Sequence, residues 1–110
     1  MNVETLSRTV GAEIVCGKDH AKNELSGCYI GDLLSLAMSR IQAGNIWITI
    51  QTNINIAAVA SLTEAGCILL CDSCTPDENT AERADREGIP ILVSEKSAYA
   101  LARELSGAGI

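Results

Sequence analysis

Three cysteines with the spacing Cys67-x-x-x-Cys71-x-x-Cys74 form the pattern in this chain that most suggests chemistry. The spacing matches cysteines that hold an iron–sulfur cluster, and Cys71-x-x-Cys74 alone matches half of a zinc or redox site. However, the apolar run CILLC predicts a strand, on which Cys67 and Cys71 would lie about 13 Å apart. Two thiolates on one zinc ion are at most about 4.6 Å apart. The pattern therefore favours packing thiols, and it leaves open a functional Cys71/Cys74 pair or, less favoured, a cluster.

A second group of candidates follows the apolar run 46–50, in the segment Gln51-Thr52-Asn53-Ile54-Asn55. The segment lies between a predicted strand and a helix amino terminus, where unpaired amides favour polar ligands. It has no Gly, Lys or Arg, so it is not a glycine-rich phosphate loop. It is either a helix cap and turn or a neutral contact to a small ligand. In parallel sheets ligands gather beyond the carboxyl ends of strands. The predicted ligand-binding residues are Thr52, Asn53, Asn55 and Ser73.

The remaining polar groups do not assemble into a catalytic pattern in the sequence. Asp72, Asp77 and Glu78 surround the start of the next predicted helix, where acids complement the helix dipole and repel phosphate. His20 is the single histidine and lies in the polar loop GKDHAKNE, so we expect a solvated side chain. We predict no catalytic residues, no metal and no cofactor.

The elements that would position these groups alternate between strand and helix. Apolar runs at 46–50, 67–71 and 89–93 each lead into a helical pattern, which indicates a parallel sheet covered by helices. Weaker strands are predicted at 13–16 and 25–31. Helices are predicted at 3–11, at 33–42 with Asp32 as its cap, from Asn53 or Asn55 to about residue 65, from a Thr75 cap to Gly88, and after Ser94 or Ser97. We expect one α/β domain over residues 1–110, with a mostly parallel sheet of four to five strands.

Composition excludes several classes of function. The chain has 110 residues, a net charge of −6 and no basic stripe, so it is not expected to bind nucleic acid or an anionic membrane. Apolar runs are far shorter than the roughly 20 residues that span a bilayer. The start lacks a signal-peptide pattern, and the five cysteines are an odd number, so we expect a cytoplasmic protein with free thiols.

The segment from Ile46 to Ser106, with the preceding GCYIGDLLSLAMSRIQAGN, resembles DRTGG domains, which are small α/β modules similar to the amino-terminal domain of HPr kinase. The chain departs from the family in two places. Relatives commonly show an acidic-basic pair near Gln51–Asn53 and a glycine pair near Asp72–Cys74. The resemblance implies a regulatory module without enzymatic residues. Stand-alone copies resemble accessory proteins of anaerobes, sometimes encoded beside iron hydrogenases.

Self-association is a further expectation. Helix 33–42 is apolar around more than one stripe, and a small domain has little with which to cover its second side. A two-fold homodimer is the commonest solution. The predicted dimer contacts are Leu34 and Met38.

Two hypotheses on function follow. The first is a non-catalytic regulatory or protein-interaction module that binds a small polar ligand at the strand carboxyl ends. The alternative is a redox or metal accessory protein that uses Cys71 and Cys74, linked to iron-hydrogenase systems.

Overall fold

The strongest apolar runs of the sequence form the centre of a five-stranded sheet. The computed structural model describes all residues from 1 to 110. The strands are β1 (Glu13–Cys16), β2 (Cys28–Ile30), β3 (Ile46–Thr49), β4 (Cys67–Leu70) and β5 (Ile91–Val93), in the order β1-β5-β4-β3-β2. Strands β2 to β5 are parallel, and β1 pairs antiparallel with β5 at one edge. The predicted α/β class and mostly parallel sheet are confirmed.

Helices cover both faces of this sheet because parallel strands need crossover connections. They are α1 (Val3–Val10), α2 (Leu34–Arg40), α3 (Asn55–Thr63), α4 (Glu78–Glu87) and α5 (Ala98–Gly107). The buried residues of α1 and α5 share one face of the sheet, and those of α2, α3 and α4 share the other. None of the helices has the length and hydropathy needed to cross a bilayer.

Two core clusters of similar size result from this layering. The first core cluster joins α1 and α5 to alternate residues of the strands, and the second joins α2, α3 and α4 to the residues between them. Trp47 belongs to the second cluster and is fully buried, and its Nε1 donates to the Gly31 carbonyl at 2.9 Å. Trp47 is therefore a packing residue between layers. Every residue of β3 and β4 is buried, which explains why their sequences do not alternate.

Several helix ends follow the sequence signals. Gly11 ends α1 in the left-handed conformation at φ 69°, which glycine adopts without steric cost. Ser97 caps α5, since its Oγ accepts from the Ala100 amide at 3.1 Å.

Three other predicted ends are wrong. Helix α2 begins at Leu34 without a side-chain cap, because the Asp32 carboxylate accepts hydrogen bonds from β3 and the residue after it. Helix α4 begins at Glu78 rather than directly after Thr75, because the Asp77 amide is already bound to the Thr52 carbonyl. Helix α3 ends at Thr63, before the predicted end near residue 65, because Glu64 takes the left-handed conformation at φ 58° as its C-cap.

Gly17 and Gly11 allow a matched test of close packing in this fold. Both have positive φ, but a Cβ on Gly17 would overlap the carbonyl of Ile89, whereas one on Gly11 would meet nothing within 4 Å. We predict that Gly11→Ala lowers the free energy of unfolding by about 1 kcal/mol, the cost of the left-handed conformation alone. Gly17→Ala should lower it by at least twice as much. Equal losses in urea unfolding would contradict the close contact between Gly17 and the Ile89 carbonyl.

Candidate functional site at the strand carboxyl ends

The carboxyl ends of four parallel strands bring four polar loops to one edge of the sheet. These loops are 31–33, 50–54, 71–77 and 94–97, and we call them together the carboxyl edge. They lie where ligands bind in open parallel sheets. The hydrogen bonds among them determine which side chains remain available.

Asp32 connects the end of β2 to the end of β3. Its Oδ1 accepts from the Thr49 hydroxyl at 2.8 Å and from the Ile50 amide at 2.9 Å. Its carbonyl accepts from Gln51 Nε2 at 2.9 Å. Bonds to a carboxylate are stronger than those between neutral groups. Asp32 is therefore a structural residue that holds the loop after β3.

The turn after β4 contains two consecutive residues in the left-handed region. Asp72 and Ser73 have φ values of 54° and 62°. This conformation costs of order 1 kcal/mol or more for a residue with a Cβ. Two hydrogen bonds to the next loop hold it: the Asp72 amide donates to the Lys96 carbonyl and the Ser73 amide to the Ser94 carbonyl, both at 2.9 Å. The β4 and β5 loops are thus tied together.

Further contacts make these links continuous from β2 to α5. The Thr49 carbonyl accepts from the Cys71 amide at 3.2 Å, which connects β3 to β4. The Lys96 ammonium donates to the Glu104 carboxylate at 2.8 Å and to the Val10 carbonyl at 2.9 Å. We call the series of contacts from Asp32 through Thr49, Cys71, Asp72 and Ser73 to Lys96 the carboxyl-edge network.

The predicted ligand-binding residues fall into two groups. Asn53 is used internally, since its Nδ2 donates to Gln51 Oε1 at 3.0 Å and its Oδ1 accepts from the Asn55 amide at 3.0 Å. The Thr52 carbonyl holds α4, through the Asp77 amide at 3.0 Å and the buried Thr80 hydroxyl at 2.8 Å. By contrast, the side chains of Thr52, Asn55 and Ser73 make no hydrogen bond within the chain.

The structure places the predicted residues on two neighbouring loops rather than around one cavity. Ser73 lines an open cleft of about 540 Å³ between the β4 and β5 loops, whereas Thr52, Asn53 and Asn55 lie on the adjacent β3 loop and do not line it. The cleft is lined by Gly11, Glu13, Ser73, Thr75, Val93, Ser94, Glu95 and Lys96. Ser94 and Lys96 are not among the predicted ligand-binding residues, because their position depends on how the β4 and β5 loops pair.

Exposed acids dominate the electrostatics of the carboxyl edge. They are Asp32, Asp72, Asp77, Glu78 and Glu95. The nearby cation, Lys96, is paired with Glu104. An anionic ligand would meet mainly like charge here, and a neutral or cationic ligand would not.

Cys71 and Cys74 pack in different parts of the molecule. Cys71 is buried in the first core cluster, and Cys74 packs against the second. Burial, with the nearby Asp72 carboxylate, raises the pKa of the Cys71 thiol to about 11, which opposes a reactive thiolate at neutral pH. No group of three or more His, Cys, Asp and Glu side chains is arranged to hold a metal ion. The geometry therefore gives the redox or metal alternative no support.

A second cleft, of about 490 Å³, lies at the opposite end of the sheet around His20. Lys18, His20 and Arg86 face Asp19, Asp85 and Glu87 in it. Asp85 Oδ1 accepts from the Gly17 amide at 2.8 Å, which gives this carboxylate a role in holding the loop. His20 is exposed, as predicted.

Comparison with known proteins identifies a family and a solved structure with a similar fold. The family model described as "DRTGG domain" matches residues 5–108. No curated protein sequence matches significantly. A solved structure from Clostridium perfringens, the CBS and DRTGG domains of the regulatory region of a pyrophosphatase with its activator diadenosine tetraphosphate, is similar with a TM-score of 0.75 and 14% identity. The match covers 94% of this chain but only 45% of that one.

The buried thiols predict a decline of stability at alkaline pH. The pKa values of Cys16 and Cys71 are raised from 9.0 to about 11, by burial and by the carboxylates of Asp85 and Asp72 respectively. Below pH 9 the thiols are protonated in both states. Between pH 9 and 11 the unfolded chain releases these protons and the folded chain retains them, so stability falls as pH rises. Cys71→Ala should make this fall shallower in chemical unfolding across that range, whereas an unchanged slope would contradict the raised pKa.

Proposed function

The chain belongs to the DRTGG domain family, and on this premise we propose that it is a non-catalytic regulatory module that responds to a small polar ligand at the carboxyl edge. The observation that carries the proposal is the family match, which extends over residues 5–108 and so includes every strand and every loop of the edge. The similar fold in the regulatory region of the pyrophosphatase supports it.

The carboxyl-edge network supports a regulatory role in physical terms. A ligand that contacts Thr52 or Ser73 touches loops whose backbones are hydrogen-bonded to α4, to the β5 loop and, through Lys96, to α5 and α1. A ligand can shift an equilibrium only by its difference in affinity for two states. Because each loop is hydrogen-bonded to the next, a contact at one loop can favour one arrangement of all the loops of the carboxyl edge.

The free side chains indicate the chemistry of the ligand. Thr52, Asn55 and Ser73 offer hydroxyl and amide groups, which can both donate hydrogen bonds to neutral polar molecules and accept hydrogen bonds from them. The exposed acids at the same edge disfavour polyphosphates. The ligand we propose is therefore a small neutral or cationic molecule, in contrast to diadenosine tetraphosphate, the activator named for the pyrophosphatase region.

Thermal unfolding with two probes tests this proposal. The first probe is the small-molecule filtrate of a lysate from the source cells, and the second is diadenosine tetraphosphate. We predict that the filtrate raises the Tm of the wild-type chain and that diadenosine tetraphosphate does not, because a ligand that binds only the folded state stabilises it. Thr52→Val and Ser73→Ala should abolish the rise while keeping the Tm without ligand, since neither side chain makes a hydrogen bond within the chain.

Ser106→Ala is the matched control, an exposed hydroxyl near the other end of α5, and it should keep the full response. Asn53→Ala should instead lower the Tm without ligand, because it removes the acceptor of the Asn55 amide. The ligand site would be refuted if the filtrate did not raise the Tm of the wild-type chain. It would also be refuted if the filtrate raised the Tm of Thr52→Val and Ser73→Ala as much as that of the wild type. Turnover in hydrolase and phosphotransfer assays, lost in Thr52→Val, would refute the non-catalytic assignment.

A further inference from the structure

Strand β2 forms one edge of the sheet, and its outer side has no partner within the chain. On its inner side the Gly27 carbonyl accepts from the Ile46 amide at 3.0 Å and the Gly31 amide donates to the Ile48 carbonyl at 3.2 Å. In a parallel pair the residues that bond to the neighbour alternate with residues that face away. The amide and carbonyl groups of Cys28 and Ile30 therefore lie in the plane of the sheet and point away from β3, toward its open edge.

Apolar side chains accompany this open edge. Cys28 and Ile30 align with Ile46 and Ile48, so they lie on the face that carries only α1 and α5. Helices α1 and α5 do not cover this part of the face, since Cys28 is exposed and Ile30 is 47% exposed. Ile50, beyond the end of β3, is 46% exposed. An open strand edge with apolar residues is a template for pairing with another chain. We call the outer edge of β2 with Cys28, Ile30 and Ile50 the β2 edge surface.

The charge distribution favours a second copy of this chain as the partner. Within residues 26–50 the charged side chains are Asp32 and Arg40, one acid and one base, so the net charge of −6 lies wholly outside this segment. Two identical acidic chains repel each other. They approach with least repulsion through this surface.

We propose that two copies pair through antiparallel β2 strands about a two-fold axis at Tyr29. In this register Cys28 of each copy faces Ile30 of the other, and their outward amides and carbonyls bond to each other in both directions. The two sheets become one continuous sheet. Cys28, Ile30 and Ile50 of both copies form one apolar stripe on the first face, and the two α2 helices, with the exposed Met38, flank the axis on the second.

This pairing differs from the contacts that the sequence predicted. Leu34 is half-buried against the second core cluster of its own chain, whereas Met38 is 39% exposed. A dimer built on α2 alone would leave the outward groups of β2 without partners. Pairing through β2 satisfies them and keeps Met38 beside the axis. The proposal is independent of the ligand at the carboxyl edge.

Disulfide crosslinking tests the register. Residues directly opposite in the non-bonded position of an antiparallel pair have Cα atoms about 4.5 Å apart, which permits a disulfide. In a Cys28→Ser background, which removes the exposed native thiol of β2, Tyr29→Cys should convert most of the protein to a covalent dimer under mild oxidation. Tyr99→Cys in the same background is the control, because Tyr99 is 77% exposed on α5, and it should stay monomeric. Equal crosslinking of the two variants would overturn the register.

Light scattering tests the dimer without oxidation. The wild-type chain should be a dimer at micromolar concentration. Ile30→Lys, which places a charge at the paired edge, should raise the dissociation constant at least about tenfold. Leu62→Lys, at a more exposed apolar residue on α3, should not change it. A monomeric wild-type chain, or a dimer that Ile30→Lys leaves intact, would overturn the proposal.

Discussion

The burial of both faces of β3 and β4 is the constraint on which the rest of this structure depends. All eight of these positions are buried, and six of them are aliphatic residues or cysteine. The other two are Trp47, which packs in the second core cluster, and Thr49, the last residue of β3. Polar side chains are confined to the points where the strands end. Because β2 to β5 are parallel, those points coincide at one edge of the sheet. The location of the candidate site thus follows from how the core is built.

The elements could be predicted from local patterns, and the contacts at the carboxyl edge could not. Apolar runs identified β3, β4 and β5, and one of the two predicted caps of α5, Ser97, is its cap, because these signals act within a few residues. Asp32 has the position of a helix cap, yet its carboxylate accepts from Thr49 and Ile50, which are 17 and 18 residues away. Thr75 precedes a proline as a cap would, yet the Thr52 carbonyl takes the Asp77 amide and delays the start of α4. In both cases a hydrogen bond to a residue distant in the sequence determined where the helix begins.

The turn at Asp72 and Ser73 gives a physical meaning to one departure from the family. The resemblance to DRTGG domains implies a glycine pair near this position, and glycine adopts a positive φ without cost. Here two residues with side chains take the same conformation and are held by the β5 loop. The exchange adds an exposed carboxylate and a free hydroxyl to the carboxyl edge.

Amide hydrogen exchange of an Asp32→Ala variant tests most directly whether the loops of the carboxyl edge respond as one unit. The substitution removes the acceptor of the Ile50 amide. If the network is coupled, exchange should accelerate at Ile50 and also at the amides of Cys71 and Ser73, which belong to other loops. Glu95→Ala, which removes an exposed acid of the same edge without a hydrogen bond, should leave all three amides unchanged. Faster exchange at Ile50 alone would contradict the account.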